Sequence, residues 1–117
     1  MIVYLHGFAS GPGSTKARAL AGRFAEIGVE FIVPDLTPGP DGFERSTPSS
    51  MLAVAEEALA RAPGPHAVIG SSLGGWLGAL AASRDPSVAR LLLLAPASAL
   101  PAAYYIPTQS PRDLALQ

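Results

Sequence analysis

Ala67-Val68-Ile69-Gly70-Ser71-Ser72-Leu73-Gly74-Gly75-Trp76 is the stretch whose reading decides the fold. An apolar, β-branched run enters a tight turn of small residues, and an apolar helical run leaves it. Gly70-Ser71-Ser72-Leu73-Gly74 matches G-x-S-x-G, with Ser72 at its centre. That pattern is the nucleophile elbow, in which a serine sits on a sharp strand-to-helix turn with its hydroxyl clear of the sheet. Glycines two before and two after leave room for close backbone approach. The N–H of the following residue, Leu73, then points where an oxyanion would form.

Working outward, Ile2-Val3-Tyr4-Leu5 reads as a buried parallel strand running into the glycine-rich loop His6-Gly7-Phe8-Ala9-Ser10-Gly11-Pro12-Gly13. Ser14 is an N-cap for a helix in which Ala17, Leu20, Phe24 and Ile27 fall at helical spacing, with Gly28 as its C-terminal cap. Residues 29–33 predict a second strand, stopped by Pro34-Asp35. Thr47-Pro48 opens a helix whose buried stripe is Met51, Leu52, Ala55, Ala58 and Leu59. The helix after Ser72 is apolar almost all round, Trp76 included, which predicts burial, and Asp85-Pro86 ends it. Residues 91–95, four of them leucines, predict a fourth strand covered on both faces.

This alternation means a single α/β domain over residues 1–117 with a parallel sheet, and if the second connection reverses direction the sheet is doubly wound, of order 2-1-3-4. The reversal lies between the first and third strands, so a ligand crevice is expected at their carboxyl ends. His6-Gly7-Phe8 and Ser71-Ser72-Leu73 meet there. The first helix should cover one face and the other two helices the opposite face. Strands three and four are then expected to lie bare on the first helix's face, and Leu91–Leu94 as an apolar edge, surfaces suited to a homodimer.

Composition narrows the classes. Net charge is −1, with no basic stripe, so neither nucleic acid nor an anionic membrane is an expected partner. There are no cysteines and two histidines far apart in sequence, which argues against a metal centre, and no cofactor is expected. No apolar run approaches the ~20 residues that span a bilayer. The expected location is cytoplasmic.

These residues resemble the α/β-hydrolase superfamily. Ile2-Val3-Tyr4-Leu5-His6-Gly7-Phe8-Ala9-Ser10 with Gly13-Ser14-Thr15-Lys16-Ala17 is similar to the small YqiA-like esterases in particular, and the similarity runs from Met1 to about Ala97. The resemblance implies acyl transfer on a small ester: Ser72 as nucleophile, the N–H groups of Leu73 and Phe8 as oxyanion hole, and His6, Gly7, Gly70 and Gly74 as supporting loop.

The departure from the family lies after Ser72. The superfamily's order is Ser, then Asp or Glu, then His, and no histidine follows Ser72. His66 begins the third strand, ~20 Å from Ser72 at extended-chain spacing. His6 lies at the correct end, with a loop-shaping role in the family. Asp85 should lie at the far end, and Asp113 is the remaining late carboxylate. The chain is therefore expected to be incomplete at its C-terminus, lacking the triad acid and histidine. Two alternatives stay open. One is a non-catalytic, partner-binding hydrolase-like domain. The other is a phosphate-binding module on residues 7–16, although Ser14-Thr15 precede Lys16 where a P-loop needs G-K-[ST]. Lys16 and Arg18 read otherwise as solvated helix charges. Tyr104 and Tyr105 are candidates for lining an acyl pocket or for packing.

Overall fold

The computed structural model describes residues 1–7 and 10–94, together with the backbone of 103–107. Four apolar segments form a parallel array: β1 (Ile2–Leu5), β2 (Phe31–Ile32), β3 (His66–Ser71) and β4 (Val88–Leu94). Their order is β2-β1-β3-β4, the order expected if the second connection reverses direction. β1 and β3 are direct neighbours, with Ile2 opposite Ala67 and Leu5 opposite Gly70, so their carboxyl ends finish side by side. β2 is shorter than the predicted 29–33, with ladder pairing confined to two residues.

A fifth strand, β5 (Ala103–Pro107), was not anticipated. It lies antiparallel on β4, with Leu91 opposite Ile106 and Leu94 opposite Ala103. The β4 edge expected to lie bare is therefore paired within the chain, because backbone N–H and C=O groups of an edge strand are satisfied by any strand that reaches them.

Helices cover both faces. α1 (Thr15–Glu26) packs Ala17, with Leu20 and Phe24, onto Ile2, Tyr4 and Ile69. α3 (Pro48–Leu59) and α4 (Leu73–Arg84) pack Leu52, Ala55, Leu59, Leu77 and Ala81 onto Val3, Leu5, Val68 and Leu91 on the opposite face. One further short helix, α2 (Gly42–Arg45), lies between β2 and α3.

Local chemistry sets the helix boundaries. The Ser14 side chain accepts from the Ala17 N–H at 3.2 Å. Thr47 and Ser50 form a reciprocal capping box, and Pro48 occupies the first turn. Gly28 ends α1 at φ +72°, a conformation that favours glycine. Two apolar residues depart from expectation. Ile27 caps α1 and is largely exposed, because the helix ends one residue before the stripe would bury it. Trp76 is 52 % exposed, because the sheet and α3 are met by Leu77 and Ala81 instead. Among the described residues, no helix is long and apolar enough to cross a membrane.

Candidate active site

β3 ends at Ser71 and α4 begins at Leu73, so Ser72 alone makes the turn. Its backbone lies at φ 55°, ψ −119°, and among the described residues it is the one non-glycine with positive φ. Such a conformation costs about 1–3 kcal/mol and persists only where the surroundings enforce it. They do so here from both sides. The Ser72 N–H donates to the Leu94 carbonyl at 3.1 Å, and the Ser72 carbonyl accepts from the Gly75 N–H at 2.9 Å. A Cβ on Gly70 would collide with the Gly74 carbonyl, and one on Gly74 with the Leu5 carbonyl. Both flanking glycines of the motif are thus required by backbone meeting backbone. The result is an exposed Ser72 whose side chain makes no capping bond to its own helix. Leu73 is the first residue of α4, where the N–H has no partner within the helix.

The second turn, His6-Gly7, meets the first. A Cβ on Gly7 would stand 3.3 Å from the Ser71 carbonyl oxygen and 3.4 Å from the Ser72 Cβ. The two turns expected to converge do so. Phe8, expected as the second oxyanion donor, lies outside the described residues.

His6 is 2 % exposed, and both its ring nitrogens are engaged. Nε2 accepts from the Leu36 N–H at 3.0 Å. That assigns the proton to Nδ1, which donates to the Gly7 carbonyl at 3.1 Å. His6 therefore ties the end of β1 to the loop after β2, with Asp35 Oδ1 3.9 Å from Nε2, and has no lone pair left to serve as base.

His66 is at the start of β3, the opposite end of the sheet from the elbow. Its Nε2 donates to the Ala62 carbonyl at 2.9 Å, and Nδ1 is buried without a hydrogen-bond partner. Asp85 follows α4 at that same far end, as expected. Its carboxyl is held below the ordinary aspartate range by hydrogen bonds from the Ser87 side chain and N–H. Asp113 lies outside the described residues. Among the described residues no cluster of histidine, aspartate and glutamate could hold a metal ion.

Lys16 is an exposed helix charge, as expected, and it also has a partner. Its ammonium donates to the Ser71 hydroxyl at 3.2 Å, and the Tyr4 hydroxyl bonds to the same group. Burial of Tyr4 pushes its phenol up from the usual value, with the Ser71 bond opposing. The adjacent serines thus differ: Ser71 is held by two partners beneath the turn, while Ser72 stands above it. Tyr4 and Lys16 gave no local signal, since one reads as a core strand residue and the other as a helix-surface charge. Their meeting depends on α1 lying across β1 and β3.

Residues 1–102 match the uncharacterised protein family UPF0227. Among solved structures, the chain is similar to alpha/beta hydrolase domain-containing protein 10 from mouse, at 29% identity and a TM-score of 0.65. That match covers 80% of this chain and 39% of the mouse protein. A protein of the α/β hydrolase superfamily from Xanthomonas campestris pv. campestris is similar at 32% identity and a TM-score of 0.59, over 86% of this chain and 62% of that one. The chain spans less than two thirds of the length of either. With an order of β2-β1-β3-β4, an elbow after β3 and a His-Gly turn after β1, the chain belongs to the UPF0227 family and has the α/β-hydrolase fold.

Proposed function

We propose that the chain carries the nucleophile half of a serine esterase acting on small carboxylic esters. The observation that carries this is the enforced positive φ of an exposed Ser72 whose hydroxyl is withheld from capping. In the proposed reaction Ser72 Oγ attacks the ester carbonyl carbon and loses its proton to a base. The carbonyl electrons move onto oxygen, which the N–H of Leu73 faces. Collapse expels the alcohol, which takes that proton, and leaves an acyl group on Ser72. Water then adds and releases the carboxylic acid. One such oxyanion donor lowers the barrier by about 3 kcal/mol.

Neither histidine of this chain is, in this reading, the base. Support comes from the engagement of His6 on both nitrogens and the position of His66 at the far end. The elbow and oxyanion donor by themselves retain about 10³–10⁴-fold acceleration over water. The 117-residue chain is therefore expected to be labelled slowly at Ser72 by a fluorophosphonate, and to turn over p-nitrophenyl esters hardly at all. Fast turnover abolished by Ser72→Ala would reveal a base within the chain. Labelling unaffected by Ser72→Ala would end the esterase reading.

A further inference from the structure

Lys16 stands where a helix is least suited to a cation. It is the second residue of α1, and the first turn of α1 holds no acidic residue to offset it. A positive charge there opposes the helix macrodipole. Among the described residues Lys16 forms no salt bridge. Its ammonium is committed instead to the Ser71 hydroxyl, 3.2 Å away and 55 residues along the chain. An exposed ammonium bonded to a neutral hydroxyl adds little stability and costs the freedom of a long side chain. The stability of α1 therefore gives no reason for a lysine here, and the reason lies in what the bond holds.

Ser71 is the last residue of β3 and the one joined to Ser72. Its hydroxyl, with one proton and two lone pairs, is reached by Lys16 from α1 and by Tyr4 from β1. Its carbonyl group borders both turns of the site. The carbonyl oxygen faces Gly7, where an added Cβ would lie 3.3 Å away. The carbonyl carbon is one of the atoms that define φ of Ser72, the angle held at 55°. A shift of Ser71 therefore moves the nucleophile and the His6-Gly7 turn relative to each other. We propose that Lys16 is a positioning residue for acyl transfer: with Tyr4 it clamps the Ser71 hydroxyl, and through Ser71 it fixes the Ser72 oxygen relative to the Leu73 N–H. This role rests on the acyl-enzyme reading above and brings to that site a residue from outside the elbow and the His-Gly turn. Like the positive φ of Ser72, the cation is placed against the preference of its own surroundings.

The test follows acylation of Ser72 by p-nitrophenyl acetate in the 117-residue chain, with the site assigned by peptide mapping. The Ser72 oxygen bonds to the acetyl carbon, p-nitrophenolate leaves, and the hydroxyl proton passes to water. Lys16→Met keeps the stem and removes the donor. It should lower the maximal acylation rate about tenfold, since small misplacements of a reacting group are that costly, and leave the half-saturating ester concentration unchanged. Its urea midpoint should stay at the wild-type value or rise, because the charge opposing the dipole is gone. Lys16→Arg, which restores a charged donor, should recover most of the rate. On a Ser71→Ala background, Lys16→Met should slow acylation by less than about twofold further, because two changes to one clamp are not additive. A wild-type rate in Lys16→Met, a slowing matched by a lower urea midpoint, or the same slowing with and without the Ser71 hydroxyl would overturn the positioning role alone. Failure of the wild-type chain to acylate at Ser72 would overturn the ester reading, and this role with it.

Discussion

Among the described residues three helices begin at a serine or threonine, and they use it in two ways. Ser14 and Thr47 lie in extended backbone and turn their hydroxyls back onto the helix, accepting from Ala17 and Ser50. Ser72 occupies the same position at the start of α4, yet its backbone is in a region that favours glycine and its side chain bonds to no helix N–H. The first two starts follow what stabilises a helix. The third gives up that stabilisation and adds strain, and two glycines and two backbone hydrogen bonds are committed to holding it so. A hydroxyl and a helix N-terminus left open side by side are what acyl transfer needs.

The largest expected effect comes from attacking what enforces the third start. Gly74→Ala places a methyl against the Leu5 carbonyl and should lower stability in urea by about 3 kcal/mol. A loss under about 1 kcal/mol would mean that the turn relaxes freely and is not held. His6→Ala comes next. It orphans the buried Leu36 N–H and the Gly7 carbonyl and should cost about 2 kcal/mol.

The sharpest contrast is one of sign. Ser14→Ala and Thr47→Ala should each destabilise the fold by about 1 kcal/mol through loss of a cap. Ser72→Gly should instead stabilise it by about 1 kcal/mol, because glycine adopts φ 55° without strain. Urea midpoints for the three variants give the comparison directly, and a destabilising Ser72→Gly would erase the distinction between the starts.

A smaller effect concerns Ser71, the engaged neighbour. Tyr4 titrates above its unfolded value because burial disfavours the phenolate. Its contribution to stability is thus complete below about pH 10 and declines as pH rises from there toward the folded pKa, since the unfolded state ionises first. Tyr4→Phe should flatten the alkaline fall in thermal midpoint. An unchanged slope would show that Tyr4 is not the group responsible.

Much of this was legible in the sequence because it is local. G-x-S-x-G between an apolar strand and an apolar helix specifies the elbow, and Ser14, Gly28 and Thr47-Pro48 mark helix ends through their own backbone preferences. The parallel sheet followed from the alternation of elements, and its order from the added expectation that the second connection reverses direction. What escaped was non-local. β5 follows a proline-rich stretch and depends on its partner strand. The Lys16–Ser71 bond joins residues 55 apart. His6 looked like a site residue by position, and its commitment to Leu36 is set by where the chain returns after β2. α2 escaped as well, a helix too short to leave a periodic signal.

Peptide mapping after incubation with p-nitrophenyl acetate tests the central claim most directly, because it asks which hydroxyl the fold has set aside. The acetyl group is expected on Ser72, with Ser71, Ser14 and Thr47 unmodified. Acetylation at Ser71 or at the capping residues, with Ser72 untouched, would contradict it.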